Sequence, residues 1–505
     1  MRETLERAFP YLLLAPAVFT LVYIGGLLYP YLTPKTLLIQ GFFLLALAAF
    51  AALALSGRQF YFARLRNPLT WIPATLLVWT YVSSLVGVDF YHSFWSIFDR
   101  GDGLLTLTAL AGFFYLTLIY ADEAFIKRLF AVIVWTASLS ALFGVLQWLQ
   151  WASGIDIPLL PGEAERVSST FGNPTFFASY IALSFFVTLL LARDLRGTWQ
   201  KWAYAAAALQ LLGILAAATR GTLLAMVAAG FVALAYYAWR PALRSFSEAG
   251  GSERPARRSL GVGGYRTYAR FGLLGVLVVA ALFITFHSQL ASAPFAPIQR
   301  LAAISLSETT VESRLFIWQN VVAEALQNPK ELLLGLGSEH IAVAFNRFYD
   351  PTKIVEQWFD RTHNAFLDYL VQHGIPGLLL YLVLIGAFMY ESWRLLKSAD
   401  TGERYRGLLF SLIAIVYAVQ NFFVFDTALT LWIFLILFAS MLVWRLRGVP
   451  ESPHLSRINP TTSREYCARA GVPLSACRCS SLGRRDREGV EARHLCRHGV
   501  RLPSL

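Results

Sequence analysis

Charge is what this chain has least of. Of its 505 residues only 15% are Asp, Glu, Lys or Arg, while 56% are hydrophobic and the mean hydropathy is +0.53. A soluble domain carries nearer a quarter charged residues, so a soluble globular protein is excluded and an integral membrane protein is implied. Cysteine is missing from nearly the whole length: Cys467, Cys477, Cys479 and Cys496 all lie in the last stretch. No disulfide can therefore hold the rest together. There is no Walker loop, no dinucleotide fingerprint and no His-Glu-x-x-His motif, so ATP, nicotinamide and zinc-protease chemistry have no visible site and no cofactor is implied. No internal repeat is evident, which weighs against a transporter built from two matched halves.

What is abundant is long apolar sequence. About 20 apolar residues of helix span a bilayer. Twelve runs of that order occur, at about 11–32, 36–56, 69–87, 103–120, 127–150, 174–192, 200–218, 221–240, 271–287, 374–395, 406–423 and 428–446. The first is long, lacks a small-residue cleavage site and is followed by more spans, so it reads as a span and not a cleavable signal. The expected fold class is an all-α integral membrane protein of about twelve transmembrane helices.

The net charge of +12 reports orientation. With the N-terminus inside, the short inner connections and their flanks hold Arg2, Arg7, Arg58, Arg64, Arg66, Lys127, Arg128, Arg193, Arg196, Lys201, Arg394, Lys397, Arg404 and Arg406. Four short outer connections hold one basic residue each, Lys35, Arg100, Arg166 and Arg220. By the positive-inside rule both termini are cytoplasmic, and 288–373 becomes a large extracytoplasmic loop. The basic excess thus implies no nucleic-acid partner. The inner loop 241–270, rich in Gly, Ser and Arg, reads as flexible and suited to anionic lipid.

Three regions are expected: N-terminal transmembrane helices over 1–98, a membrane domain over 99–449 that includes the outer loop, and a disordered basic cytoplasmic tail over 450–505. In the tail, Cys477, Cys479, His494, Cys496 and His498 fit no common zinc spacing, and no metal site is assigned.

Within the outer loop, Thr309 with Glu312 makes a capping box. Leu315, Trp318, Val322 and Leu326 follow at helical spacing. Asn328-Pro329 stops that helix, and "GLG" at 335–337 is a turn. His363 to Gln372 reads as a second short helix, N-capped by Thr362 and lying on the membrane surface. Gly374 and Pro376 break it before the next span.

Three residues stand out as candidates. Arg220 sits between two apolar runs with almost no loop, where it is either a snorkelling hairpin-tip arginine or a functional one. Arg314 lies one helical turn before Trp318, whose indole can stack under the guanidinium. His363, in the first turn of its helix beside Asn364, should be kept neutral by the positive helix end. Taken singly, the surface or interfacial reading of Arg314 and His363 is the commoner one. Together, two guanidiniums and a neutral imidazole at one membrane boundary suit an anionic lipid headgroup. Arginine forks pair bidentately with phosphate oxygens and stabilise a departing diphosphate, while imidazole can deprotonate an acceptor hydroxyl. Arg100 in "FDRGDGLL" and Arg166 in "ERVSSTFGNPTFF" are further diphosphate-binding candidates on the same face.

The stretches "STFGNPTFFASYIALSFF", "ATRGTLLAM", "ESRLFIW" followed by "GLG", and "THNAFLDYLVQHGIPGLLLYL" resemble, in that order, the O-antigen ligase superfamily of bacterial membrane proteins. The resemblance runs over roughly 100–445. It implies a glycosyltransferase of the GT-C type in the bacterial inner membrane, with its site extracytoplasmic. Such an enzyme takes a glycan from an undecaprenyl-diphosphate carrier and joins it to a lipid or surface-glycan acceptor, inverting the anomeric centre without a metal. By the same resemblance Arg220 and Arg314 hold the diphosphate and His363 acts on the acceptor. The superfamily also contains polysaccharide polymerases that use the same chemistry. A small-anion transporter is the reading from another class, although it calls for charged or broken helices near the bilayer midplane.

Overall fold

A computed structural model of the chain describes residues 2–155, 166–239, 262–292, 296–302, 309–348, 352 and 359–447. Among these residues there are helices and turns and no strand. In chain order the α-helices are α1 Arg2–Phe19, α2 Leu32–Leu55, α3 Ile72–Leu85, α4 Phe90–Trp95, α5 Leu104–Tyr120 and α6 Glu123–Ser153. There follow α7 Pro174–Asp194, α8 Thr198–Ala217, α9 Arg220–Trp239, α10 Val262–Thr285, α11 His287–Leu290 and α12 Ala296–Ala302. The last six are α13 Thr309–Gln327, α14 Pro329–Leu334, α15 Ile341–Arg347, α16 Ala365–Leu396, α17 Thr401–Phe423 and α18 Ala428–Arg445.

Each of the twelve apolar runs falls on a helix, but among the described residues eight helices are both long and apolar enough to cross a membrane. The shortfall has local causes. α1 has Arg2, Glu3, Glu6 and Arg7 in its first turns and ends at Phe19, short of the expected run to 32. α3 has 14 residues and α5 has 17. Polar Gln200, Lys201 and Gln210 interrupt α8.

α18 is the axis of the bundle. Every residue from Leu429 to Trp444 is buried, as expected of a helix that is apolar all round. α5, α7 and α16 pack against it, α17 fills the space between α16 and α9, and α3 closes the far side of α16. α10 lies at the periphery with 11% of its span buried, against 89% for α18.

One end of the bundle gathers the α8–α9 turn, the long segment between α10 and α16, and the α17–α18 turn. A Cβ on Gly221 would touch the Cβ of Phe423 at 3.0 Å, the rings of Trp318 and Phe422 meet edge to face at 5.5 Å, and Ala365 N–H donates to Val424 O at 3.1 Å. The opposite end gathers the short basic connections. There Arg447 meets Glu123, and Arg406 meets Asp194.

α16 bends at Gly374, where φ is 66° and ψ is −174°. That break leaves carbonyls without helical donors. The Gly335-Leu336-Gly337 turn runs against it and supplies them: Leu336 N–H donates to Val371 O at 3.0 Å and Gly337 N–H to Gln372 O at 2.9 Å. Trp79 Nε1–H takes His373 O at 2.8 Å. Both glycines are required by space as well as conformation, since a Cβ on Gly335 would overlap the Gln372 carbonyl and one on Gly374 the Leu333 carbonyl.

Two expectations need correction here. The buried face of α13 is Ser313, Ile317, Val321 and Ala325, while Leu326 is 65% exposed. The face drawn through Leu315, Trp318, Val322 and Leu326 is therefore rotated, because Ile317 and Val321 are claimed by Ile341, Phe345 and Phe359 of the loop itself. The helix opening at Ala365 does not present a polar face outward. Asp368, Gln372 and His373 are all buried. The 241–270 loop is outside the described residues as far as 261, and the tail from 450 with its cysteines is wholly outside them.

Candidate functional site around the α17–α18 turn

The turn from Val424 to Thr427 is the hub. Phe425 carries the guanidinium of Arg100 over its ring at 4.7 Å and that of Arg361 at 5.5 Å. His363 lies beside the same ring, with centroids 5.9 Å apart. Next to it, the Asp426 carboxylate accepts from Tyr417 Oη–H, from Tyr381 Oη–H at 3.3 Å and from Thr430 Oγ1–H at 2.7 Å. These bonds fix the turn between the ends of two spans.

His363 stands before the helix and not in its first turn. The N-cap is Asn364, whose side chain accepts from Phe366 N–H at 3.0 Å and Leu367 N–H at 3.3 Å. Thr362, expected as the cap, is instead fully buried and tied to the carboxylate of Asp368. Its N–H donates to Asp368 Oδ1 at 2.9 Å and its hydroxyl to the same oxygen at 2.6 Å. Asn wins the cap because the residue preceding it is left-handed: His363 has φ 56°, a conformation that a non-glycine residue holds only when its surroundings impose it. Glu339 and Ser96, both close by, are left-handed too, with φ of 68° each.

The ring is neutral for a different reason than the helix dipole. Burial lowers the His363 pKa to about 4, helped by the nearby charges of Arg314 and Arg100 and opposed by Asp360. Arg314 is thus within electrostatic reach of the imidazole. The loop is braced by Trp318, one turn beyond Arg314, whose Nε1–H donates to Thr362 O at 2.8 Å. His363, Arg100, Asp99, Asp360, Asn173 and Phe425 line a cavity of about 370 Å³.

Arg220 opens α9 directly after the turn in which Ala218 is left-handed, φ 49°. Its Nε–H donates to Arg300 O at 2.8 Å, binding α12 to the α8–α9 turn. It reaches the same neighbourhood through Gly221 against Phe423. Arg166 lies half-buried near that turn, where Val167 N–H faces Ala216 O at 3.5 Å. The structure therefore brings His363 and Arg100 to one cavity, keeps Arg314 within electrostatic reach of the imidazole, and sets Arg220 and Arg166 at the α8–α9 turn.

Arg100 is not a bare cation. It is ion-paired with Asp360, and its Nε lies 3.3 Å from Asp99 Oδ1. Arg361 pairs with Asp102 at 2.9 Å and with Glu339. Burial and Arg361 would lower the Arg100 pKa, but Asp102 and Asp360 reverse this and hold it above the ordinary value. Burial pushes Glu339 up against the pull of Arg361. This buried set was missed at the level of sequence, although a signal existed: Phe98-Asp99-Arg100 and Phe359-Asp360-Arg361 are the same tripeptide. The two copies cross-pair, Arg100 to Asp360 and Arg361 to the carboxylate two residues after Arg100. This lattice fixes the loop that carries His363.

The O-antigen ligase family model matches residues 205–382, a stretch that includes Arg220, Arg314 and His363. It bears out the resemblance read from the motifs. No curated protein matches the chain.

Proposed function

We propose that this protein is a membrane glycan ligase that moves a glycan from a polyprenyl-diphosphate carrier to an acceptor hydroxyl on the extracytoplasmic side of the bacterial inner membrane. The observation that carries the reading is His363. It is an imidazole held uncharged at neutral pH beside Arg314, in a strained backbone setting, on a cavity of about 370 Å³. An uncharged ring nitrogen next to a guanidinium is suited to take a proton from a hydroxyl while the neighbouring cation holds an anion.

In this account the acceptor oxygen forms the new bond to the anomeric carbon, and its proton passes to His363. The bond from that carbon to the carrier's phosphate oxygen breaks with inversion, and the electron pair leaves with the diphosphate. Arg220 and Arg314 stabilise the leaving charge, so no metal is needed for that role. Arg166 borders the diphosphate path. Arg100 helps to set the position of Asp360 and the neutrality of His363 more than it binds phosphate, because its charge is already shared with two carboxylates. Thr362, Asn364 and Trp318 hold the His363 loop. The same chemistry serves a polysaccharide polymerase, and the acceptor alone separates the two.

The test is a reconstituted reaction. Purified protein, an undecaprenyl-diphosphate oligosaccharide and candidate acceptors are incubated with and without EDTA. The expected result is a glycosylated acceptor with stoichiometric undecaprenyl diphosphate, undiminished by chelator. No release of the carrier diphosphate with any acceptor, from protein shown to be folded, would contradict the reading.

A further inference from the structure

The other end of the bundle holds a second cavity of about 370 Å³, framed by the end of α16, the start of α17 and the end of α18. α18 has 18 residues, so this cavity lies about 27 Å from the His363 end at a rise of 1.5 Å per residue. It belongs to no part of the transfer site. Arg394, Arg406, Arg445 and Arg447 line it, against two acids, Glu391 and Glu403. Its volume falls within the roughly 300–1,000 Å³ of small-molecule sites.

The four guanidiniums differ in how far they are already used. Arg445 is ion-paired with the buried Glu391. Arg406 lies over Trp444 at 4.8 Å and reaches Asp194 at 3.3 Å. Arg447 bridges Glu123 at 2.9 Å and Glu403 at 3.7 Å, and its side chain is 44% exposed. Among the described residues Arg394 has no carboxylate within ion-pair distance; it lies over Tyr390 at 5.7 Å. Positive charge at the C-terminal ends of α16 and α18 is partly explained by the helix dipoles and by orientation. Neither of those accounts for four arginines lining one open cavity, one of them, Arg394, with no carboxylate in ion-pair distance among the described residues.

We propose that this cavity is a binding site for a phosphate-bearing anion, held by Arg394 and Arg447 at its mouth. Arginine forks match phosphate oxygens in pairs. The setting favours a phospholipid headgroup over a soluble phosphate. Trp444 lines the cavity, Tyr390 lies under Arg394 at 5.7 Å, and Lys397 stands over the exposed Trp393 at 3.6 Å. That is the composition of a membrane-interface belt, and basic pockets between transmembrane helices take anionic headgroups. The two guanidiniums at the mouth, Arg394 and Arg447, match the two phosphates of cardiolipin.

The test is native mass spectrometry of the full-length protein in detergent, titrated in turn with cardiolipin, phosphatidylglycerol, phosphatidylcholine and inorganic pyrophosphate. Cardiolipin and phosphatidylglycerol should be retained over phosphatidylcholine. Arg394→Gln should weaken their retention about fivefold, and Arg394→Gln with Arg447→Gln about 25-fold, at roughly the contribution of one interfacial cation each. Arg394→Gln breaks no ion pair among the described residues, so it reports binding even where the double variant is poorly folded, and Arg394→Lys should retain most of the affinity. Pyrophosphate binding lost in the same variants, without lipid selectivity, sustains the phosphate site and assigns it a soluble ligand. Retention of phosphatidylcholine equal to that of the anionic lipids together with no Arg394-dependent binding of pyrophosphate, or unchanged binding of all four probes by Arg394→Gln, overturns the proposal.

Discussion

The two halves of α16 are written for different surroundings. Before Gly374 the helix buries Asp368, Gln372 and His373, each with a polar partner: Thr362 for Asp368, Glu339 N–H for Gln372 at 2.6 Å, and Ser83 for His373 at 2.7 Å. After Gly374 it buries Tyr381, Leu384 and Phe388 on one side and exposes Leu379, Leu382 and Val383 on the other. The second half is a membrane helix by composition. The first is a polar post that holds a loop. The bend lets one element do both: Asp368 holds the backbone before His363, while Gln372 and His373 tie the helix to Glu339 and to Ser83 of α3.

The comparison breaks most completely at the bend. Gly374→Ala drives a Cβ into the Leu333 carbonyl and forces a left-handed backbone onto a residue that resists it. The expected outcome is loss of folded protein, about 4 kcal/mol or more. Gly386→Ala, in the second half with nothing within 4 Å of the added carbon, should be neutral or stabilising by up to about 1 kcal/mol. Thermal unfolding followed by size-exclusion in detergent measures both.

A smaller effect separates the halves by polarity. Asp368→Ala leaves Thr362 N–H without its buried acceptor, while the Thr362 hydroxyl keeps Asn364 O at 2.8 Å, and should cost about 2 kcal/mol. Asp368→Asn keeps the accepting Oδ1 and should cost less. The same thermal assay distinguishes them, and the transfer rate should fall in step with Asp368→Ala because the His363 loop is released.

The smallest is a pH dependence. Burial lowers the His363 pKa from the ordinary 6.5 to about 4, so between those values the folded chain binds fewer protons than the unfolded one. Stability should therefore fall as pH drops from about 6.5 towards 4 and level off below. His363→Asn should flatten that part of the curve, as read from apparent melting temperature against pH.

Much of the fold was legible because long apolar runs obey a simple length rule. All twelve runs fall on helices, and the glycines of 335–337 and 374 mark a turn and a break. The span count was less so, since α3 and α5 are short and α1 begins with charged residues and stops at Phe19. In the site, the positions of Arg314 and His363 in one neighbourhood were legible from residue type and order. The cap was not: Thr362 and Asn364 are both good N-caps, and the choice rests on the left-handed turn at His363. The Arg100–Asp360 and Arg361–Asp102 pairs join positions about 260 residues apart in sequence. Only the shared Phe-Asp-Arg tripeptide hinted at them.

The central claim is that His363 moves a proton while neighbouring arginines hold the diphosphate, and one measurement separates these roles. Donor binding and single-turnover transfer are compared for wild type and His363→Asn, a substitution that tolerates the left-handed backbone and keeps a polar group. The account predicts undisturbed binding of the undecaprenyl-diphosphate donor with transfer slowed about 10²- to 10⁴-fold. Transfer at the wild-type rate by the folded His363→Asn protein would contradict it.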